Sequence, residues 1–192
     1  MADGTEPLPV ALDRDPLSTG TRAGSGSLRD MSAVDHLLHA NERYTAGFPG
    51  PRPTRPKLRL AIVACMDSRL DLFGALGLEI GDAHLIRNAG GLPTPDVLRS
   101  LAISQRFLGT REVVLIHHTE CGMDRFDDTT FRAQLTAETG IVPGWDVPGF
   151  TDIRAAMRRS IATVRGCAWL PHREDVRGFV FDVATARLDE VT

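Results

Sequence analysis

The chain has 192 residues, 42% of them apolar, and a formal net charge of −3 from 22 Lys and Arg against 25 Asp and Glu. That length and apolar content suit one ordinary domain with a real core, while the slight acidity and scattered arginines leave no basic surface for nucleic acid. Three cysteines cannot make a disulfide scaffold and point to a reducing cytoplasm, and no apolar run approaches the roughly 20 residues that cross a bilayer.

Met1 to Ser27 is rich in Gly, Pro, Ser, Thr and Asp and has neither a basic start nor an apolar stretch of the secretory kind. Residues 1–31 are therefore expected to be a disordered extension, or an arm that orders on a partner subunit, and residues 32–192 a single domain. Ser32 is placed as an N-cap, and Val34, Leu37, Leu38, Asn41 and Tyr44 follow at near-helical spacing until Gly47. Phe48 to Pro56 holds four prolines and reads as an extended connector that detaches this helix from the rest of the domain. A detached amphipathic helix buries its stripe on its own domain or on a neighbouring subunit.

Strands are expected at Leu58 to Ala64, Ala83 to Arg87, Glu112 to His117 and Gly178 to Val183, each a short run rich in β-branched and large apolar residues. Helices are expected at Asp71 to Leu78, from Thr94 or Pro95 to Leu108 with Leu98, Leu101, Ala102 and Phe107 inward, at Thr129 to Thr139, and at Asp152 to Val164. The tail from Phe179 to Val191 can turn back through Ala184, Thr185 and Ala186 as an antiparallel edge. Strand and helix alternate, so the fold class is α/β, a central mostly parallel sheet flanked by helices.

Two short motifs carry the chemistry. Cys65-Met66-Asp67-Ser68-Arg69 follows the first strand and His118-Thr119-Glu120-Cys121 follows the third. Reactive groups of an open α/β sheet collect at the carboxyl ends of the strands, so if these two strands are neighbours, Cys65, His118 and Cys121 meet around one ion. Two thiolates and an imidazole are ligands that zinc prefers, and three of them leave a fourth tetrahedral position open. Asp67 and Arg69 can face the same side as Cys65, with the guanidinium keeping the carboxylate ionised and able to orient a zinc-bound hydroxide. Thiolate charge weakens the acidifying effect of the metal, which implies a mildly alkaline optimum.

The plainer alternatives are buried apolar thiols for Cys65 and Cys121, and a surface ion pair for Asp67 and Arg69. Either His117 or His118 can reach Cys121, although strand alternation sends them to opposite faces. Cys167 lacks a ligand neighbour and reads as core or partly buried. The run Arg87-Asn88-Ala89-Gly90-Gly91 is a turn or a backbone wall, not a phosphate loop, because the Lys and hydroxyl residue of that motif are missing.

With these residues the chain resembles the β-class carbonic anhydrases, in a compact actinobacterial-type branch close to carbonyl sulfide hydrolases. The resemblance rests on Cys65, Asp67 and Arg69, on His118 and Cys121, on Gly81 to His84 leading into Arg87 to Gly91, and on Ser100 to Ser104, and it runs from about Ser32 to Thr192. It favours His118 as the ligand over His117 and implies one zinc per chain held by Cys65, His118 and Cys121. Asp67 then either pairs with Arg69 or becomes the fourth ligand in a closed form. The implied activity is that of a carbonate dehydratase, a zinc lyase that reversibly hydrates carbon dioxide to bicarbonate and a proton. His84 and His117 are proton shuttles by residue type only. Homodimers or dimers of dimers are implied, with the N-terminal helix on the partner. Carbonyl sulfide hydrolysis at the same metal and a purely structural zinc are the competing readings. His117 before the ligand and Glu120 between the ligands depart from the commoner pattern.

Overall fold

A computed structural model describes residues 31–146 and 148–192. The expectation for the first 31 residues lies, but for Met31, outside them. The chain divides into a unit ending at Arg52 and a unit from Pro53 to Thr192. In the first, helix α1 (Ala33–Ala46) starts at a reciprocal cap in which Ser32 accepts from the Asp35 amide and Asp35 accepts from Ser32 N. Its apolar residues Val34, Leu37, Leu38 and Tyr44 find no cover within that unit.

The second unit holds a five-stranded sheet in the order β2-β1-β3-β4-β5. Strands β1 (Leu60–Cys65), β2 (Ala83–Asn88), β3 (Glu112–His118) and β4 (Val176–Phe181) run parallel, and β5 (Leu188–Val191) returns antiparallel on β4. The chain leaves β1 for β2 on one side and comes back as β3 on the other, so a crevice opens at the carboxyl ends of β1 and β3. Alternation along β1 and β3 builds two cores. Ala61, Val63, Val113 and Leu115 pack with Val97, Leu101, Met157 and Val164 of α3 (Pro95–Leu108) and α5 (Ile153–Gly166). Ile62, Ala64 and Ile116 pack with Leu70, Leu72, Met123 and Phe150 on the opposite face. Each large side chain so buried is worth about 1.5–3 kcal/mol, which fixes the register that brings the strand ends together.

Local signals set the boundaries. Thr94 caps α3 ahead of Pro95 at its first position, Gly109 ends it left-handed, and Asp152 caps α5 by accepting from the Arg154 and Ala155 amides. Helix α2 (Leu72–Leu76) is shorter than expected because Gly77 terminates it at φ 64°. Helix α4 (Asp128–Thr139) matches its expected span and buries none of its residues. The fourth strand ends two residues earlier than expected, because Asp182 accepts from the Ala184 and Thr185 amides and begins the turn where the apolar pattern still reads as strand, and it starts two residues earlier where Val176 pairs with Val113. Phe107 is 74% exposed, not inward. The inward place in that last turn goes to Gln105, whose amide group exchanges hydrogen bonds with the backbone of His172.

Candidate metal centre

Cys65 is the last residue of β1, His118 the last of β3, and Cys121 follows one turn later. β1 and β3 are hydrogen-bonded neighbours, so residues more than fifty positions apart come together, and all three are buried. Their ligand atoms lie within 4.8 Å of one another. The two sulfurs are 3.9 Å apart, far beyond a disulfide. Two sulfurs on one tetrahedral zinc, each about 2.3 Å from the ion, would be separated by about 3.8 Å.

The imidazole supplies the sharper test of fit. His118 Nδ1 is 2.9 Å from the Thr119 carbonyl, which requires a proton on Nδ1, so that in the neutral ring Nε2 carries the lone pair. That Nε2 is buried and makes no hydrogen bond with any described residue. An orphaned buried acceptor beside two thiols is the signature of a donor set waiting for a soft cation. His117, the other candidate, points to the opposite face of β3, stacks on Phe150 at 5.6 Å and lies 3.5 Å from the Ser160 hydroxyl.

Electrostatics agree with this geometry. The Cys65 thiol is driven well below its usual range, mainly by the hydrogen bond from Cys121 and further by His118 and the Asp67 and Gly90 backbone amides. Cys121 is pushed in the opposite direction by that same bond and by burial. The pair therefore keeps one proton between them, which a metal would displace. Burial disfavours a charged His118, but the Cys65 thiolate, the Thr119 carbonyl and the Asp67 carboxylate together outweigh it and raise its pKa.

Asp67 and Arg69 lie in the loop after β1. Arg69 Nε donates to Asp67 Oδ1 at 3.0 Å and Nη2 to Oδ2 at 2.8 Å, while the Arg69 amide adds a third bond at 2.9 Å. These bonds hold the Asp67 carboxyl far below the ordinary carboxylate range. Asp67 Oδ2 is 3.7 Å from His118 Nε2, so the Asp67–Arg69 pair borders the three candidate ligands.

A model of the carbonic anhydrase family matches residues 60–163. Beta-carbonic anhydrase 1 of Mycobacterium tuberculosis is 49% identical over 162 residues, covering 84% of this chain and 99% of the relative. The chain belongs to the β-carbonic anhydrase family. A solved carbonic anhydrase from Streptococcus mutans has a TM-score of 0.78 at 43% identity, covering 84% of this chain and 99% of that one. A protein named carbon disulfide hydrolase from Acidithiobacillus thiooxidans is 35% identical over 167 residues, 76% of this chain and 80% of its own length. Zinc is the cofactor of the β-carbonic anhydrases, and the donor set found here fits it.

Three further residues border this candidate site of the β-carbonic anhydrase fold, and their places there are not legible in the sequence. The Arg87 guanidinium reaches back across the sheet to the carbonyls of Cys65, Asp67 and Leu70 at 3.0, 2.6 and 3.3 Å, tying down the loop that carries Asp67 and Arg69. Gly91 adopts φ +66° in a short turn, Ala89–Gly91, directly after β2, where a Cβ would meet the main chain of Cys65, Ala64 and Ile116. Glu120 lies between the two ligands at φ 55°, a left-handed conformation costing a non-glycine residue about 1–2 kcal/mol. The other residues singled out stand apart from the three ligands. Cys167 caps α5 half-buried, and His84 Nδ1 is 2.7 Å from the Ser104 hydroxyl on the edge strand. His117 is fully buried, and burial lowers its pKa to about 4, so it has neither the exposure nor the basicity of a shuttle.

Proposed function

We propose that Cys65, His118 and Cys121 hold one zinc per chain and that Asp67 and Arg69 govern its remaining coordination position, with Asp67 becoming the fourth ligand in a closed form. The reaction is the reversible hydration of carbon dioxide to bicarbonate and a proton, catalysed as a lyase. The observation that carries this reading is the unsatisfied His118 Nε2 among two buried sulfurs, beside an Asp67 held ionised by Arg69.

Zinc bound there supplies the Lewis acidity that ionises water near neutral pH. The chain's own residues do the rest. Thr119 O fixes the His118 tautomer, and backbone amides of Asp67 and Gly90 stabilise the Cys65 thiolate. Asp67, already ionised, accepts a hydrogen bond at Oδ2 from a reacting water and so orients it. Arg69 keeps that oxygen in place by engaging both carboxylate oxygens.

The protein as purified is expected to contain one zinc per chain and to hydrate carbon dioxide in a stopped-flow indicator assay; zinc-loaded protein without hydration activity refutes the reading. Asp67→Asn is expected to retain zinc and lose turnover, and wild-type turnover would remove Asp67 from the mechanism. The relatives named carbon disulfide hydrolase favour a second reading, attack on a sulfur analogue such as carbonyl sulfide at the same site. Sulfide release measured beside hydration distinguishes the two.

A second copy of the chain is the proposed partner. The edge strand β2 borders a cavity of about 520 Å³ lined by Phe73, Leu85, Ile86, Ile103 and Leu108, an apolar face that a two-fold mate would cover, and α1 carries apolar residues for the same purpose. Sedimentation should find a dimer or a dimer of dimers, and Ile103→Glu should yield monomers. A cytoplasmic location fits the three unpaired cysteines. Among the described residues, no helix is long and apolar enough to cross a membrane.

A further inference from the structure

Arg69 makes more bonds than the pair with Asp67 requires. Its Nη1 donates to Glu120 Oε2 at 3.2 Å, and its Nη2 donates to the Glu120 carbonyl at 3.1 Å as well as to Asp67. Asp67 takes the Nε side of the guanidinium plane and Glu120 the opposite end, so the two acceptors do not compete. The Glu120 carbonyl is available because residue 120 is held left-handed, a conformation costly for glutamate. Its loop is pinned at the preceding residue by two bonds. The Thr119 amide donates to Phe181 O at 2.9 Å, and the Thr119 hydroxyl accepts from the Val183 amide at 3.1 Å.

We infer that Glu120 is a positioning residue for the Asp67–Arg69 pair, clamping the far end of the guanidinium so that Asp67 stays bidentate on Arg69. The clamp is anchored between His118 and Cys121, and so ties the orientation of Arg69 to the segment that carries two of the three ligands. Without it the guanidinium can turn about its long stem, one of the two bonds to Asp67 is lost, and the freed carboxylate competes for the fourth coordination position. Glu120 touches no reacting atom; it acts through Arg69. Its carboxylate is 71% exposed, so the side-chain part of the clamp belongs to the class of weak surface pairs, and a moderate effect is expected.

The inference rests on the proposed role of Asp67, and the test separates the two. Cobalt(II)-loaded full-length protein is titrated with azide, the visible spectrum reporting entry of the anion into the fourth position, and carbon dioxide turnover is measured alongside. Glu120→Asn keeps a residue that tolerates the left-handed backbone but is too short to reach Arg69, and Glu120→Gln keeps the reach without the charge. Glu120→Asn should weaken azide binding roughly two- to fivefold, the fold-change equivalent of an exposed pair, and Glu120→Gln should recover part of it. In an Asp67→Asn background the Glu120→Asn change should have no effect, because no carboxylate remains to release. Equal azide affinities for wild type and Glu120→Asn, or the same loss with and without Asp67, overturns the inference alone. Wild-type turnover in Asp67→Asn overturns the reading of Asp67 and the inference with it. A low yield of folded Glu120→Asn shifts the test to Glu120→Gln, whose azide affinity must then fall below wild type; no change refutes the clamp.

Discussion

Replacing Gly91 with alanine would put a Cβ 2.8 Å from Cys65 N, 2.9 Å from Ala64 C and 2.9 Å from Ile116 O, at a backbone φ of +66°. All three atoms are main chain of β1 and β3, so no side chain can rotate away, and relief must come from parting the two strand ends that carry Cys65 and His118. The left-handed conformation costs alanine about 1–2 kcal/mol and the overpacking about 1–3 kcal/mol, so Gly91→Ala should destabilise by about 2–5 kcal/mol. In a chain of this size that lowers Tm by roughly 4–20 °C. Gly140→Ala is the control, since Gly140 has φ +73° and open space around it, and should lose only the conformational part. Thermal unfolding of both chelator-treated variants isolates the collision, and zinc content of the untreated proteins reports its effect on the site. Equal Tm values for the two variants, with full zinc in Gly91→Ala, would refute the claim that this glycine is required by close backbone approach.

Cys121→Ser should lose zinc, because an alcohol does not ionise as a thiol does; unchanged metal content in an elemental assay removes Cys121 from the ligand set. Arg87→Ala should lower stability by about 1.5–3 kcal/mol and turnover by a larger factor than zinc content, since it frees three carbonyls of the loop holding Asp67. Denaturant unfolding, metal analysis and stopped-flow hydration check the three parts of that statement. His117 is buried neutral, with its pKa lowered from 6.5 to about 4 by desolvation. The unfolded chain therefore binds its proton first as pH falls, and a stabilising contribution fully present above pH 6.5 is lost between there and pH 4, a total of about 3 kcal/mol. Chelator-treated His117→Gln should show a flatter decline than wild type across that window, and parallel stability curves would refute the assignment.

Much of this molecule is legible in its sequence. Buried parallel strands write themselves as continuous apolar runs, so the expected β1, β2 and β3 lie within two residues of the observed ones, and Ser32 reads as the cap it is, while Thr94 and Asp152 are expected only as helix starts and prove to be caps. Beyond the glycine that shortens α2, the misses share a cause. Phe107 and the end of β4 are read from hydrophobicity, whereas a buried Gln105 and the Asp182 turn decide them through hydrogen bonds whose partners are distant or polar. Arg87 and Glu120 escaped as site residues for the same reason, since an arginine seeking three carbonyls looks in sequence like any other arginine.

The sequence by itself determined the types of the candidate ligands, the acid beside its arginine, and the alternation of strand and helix, because these follow from side-chain chemistry and local periodicity. Only the tertiary structure decided which histidine faces the thiols, since the choice between His117 and His118 depends on which face of β3 lies toward Cys65 once β1 and β3 pair. It also decided that Arg69 is shared between Asp67 and Glu120. Hydrogen bonds between the ends of different strands exist only after the apolar faces have set the register, and no local pattern records them in advance.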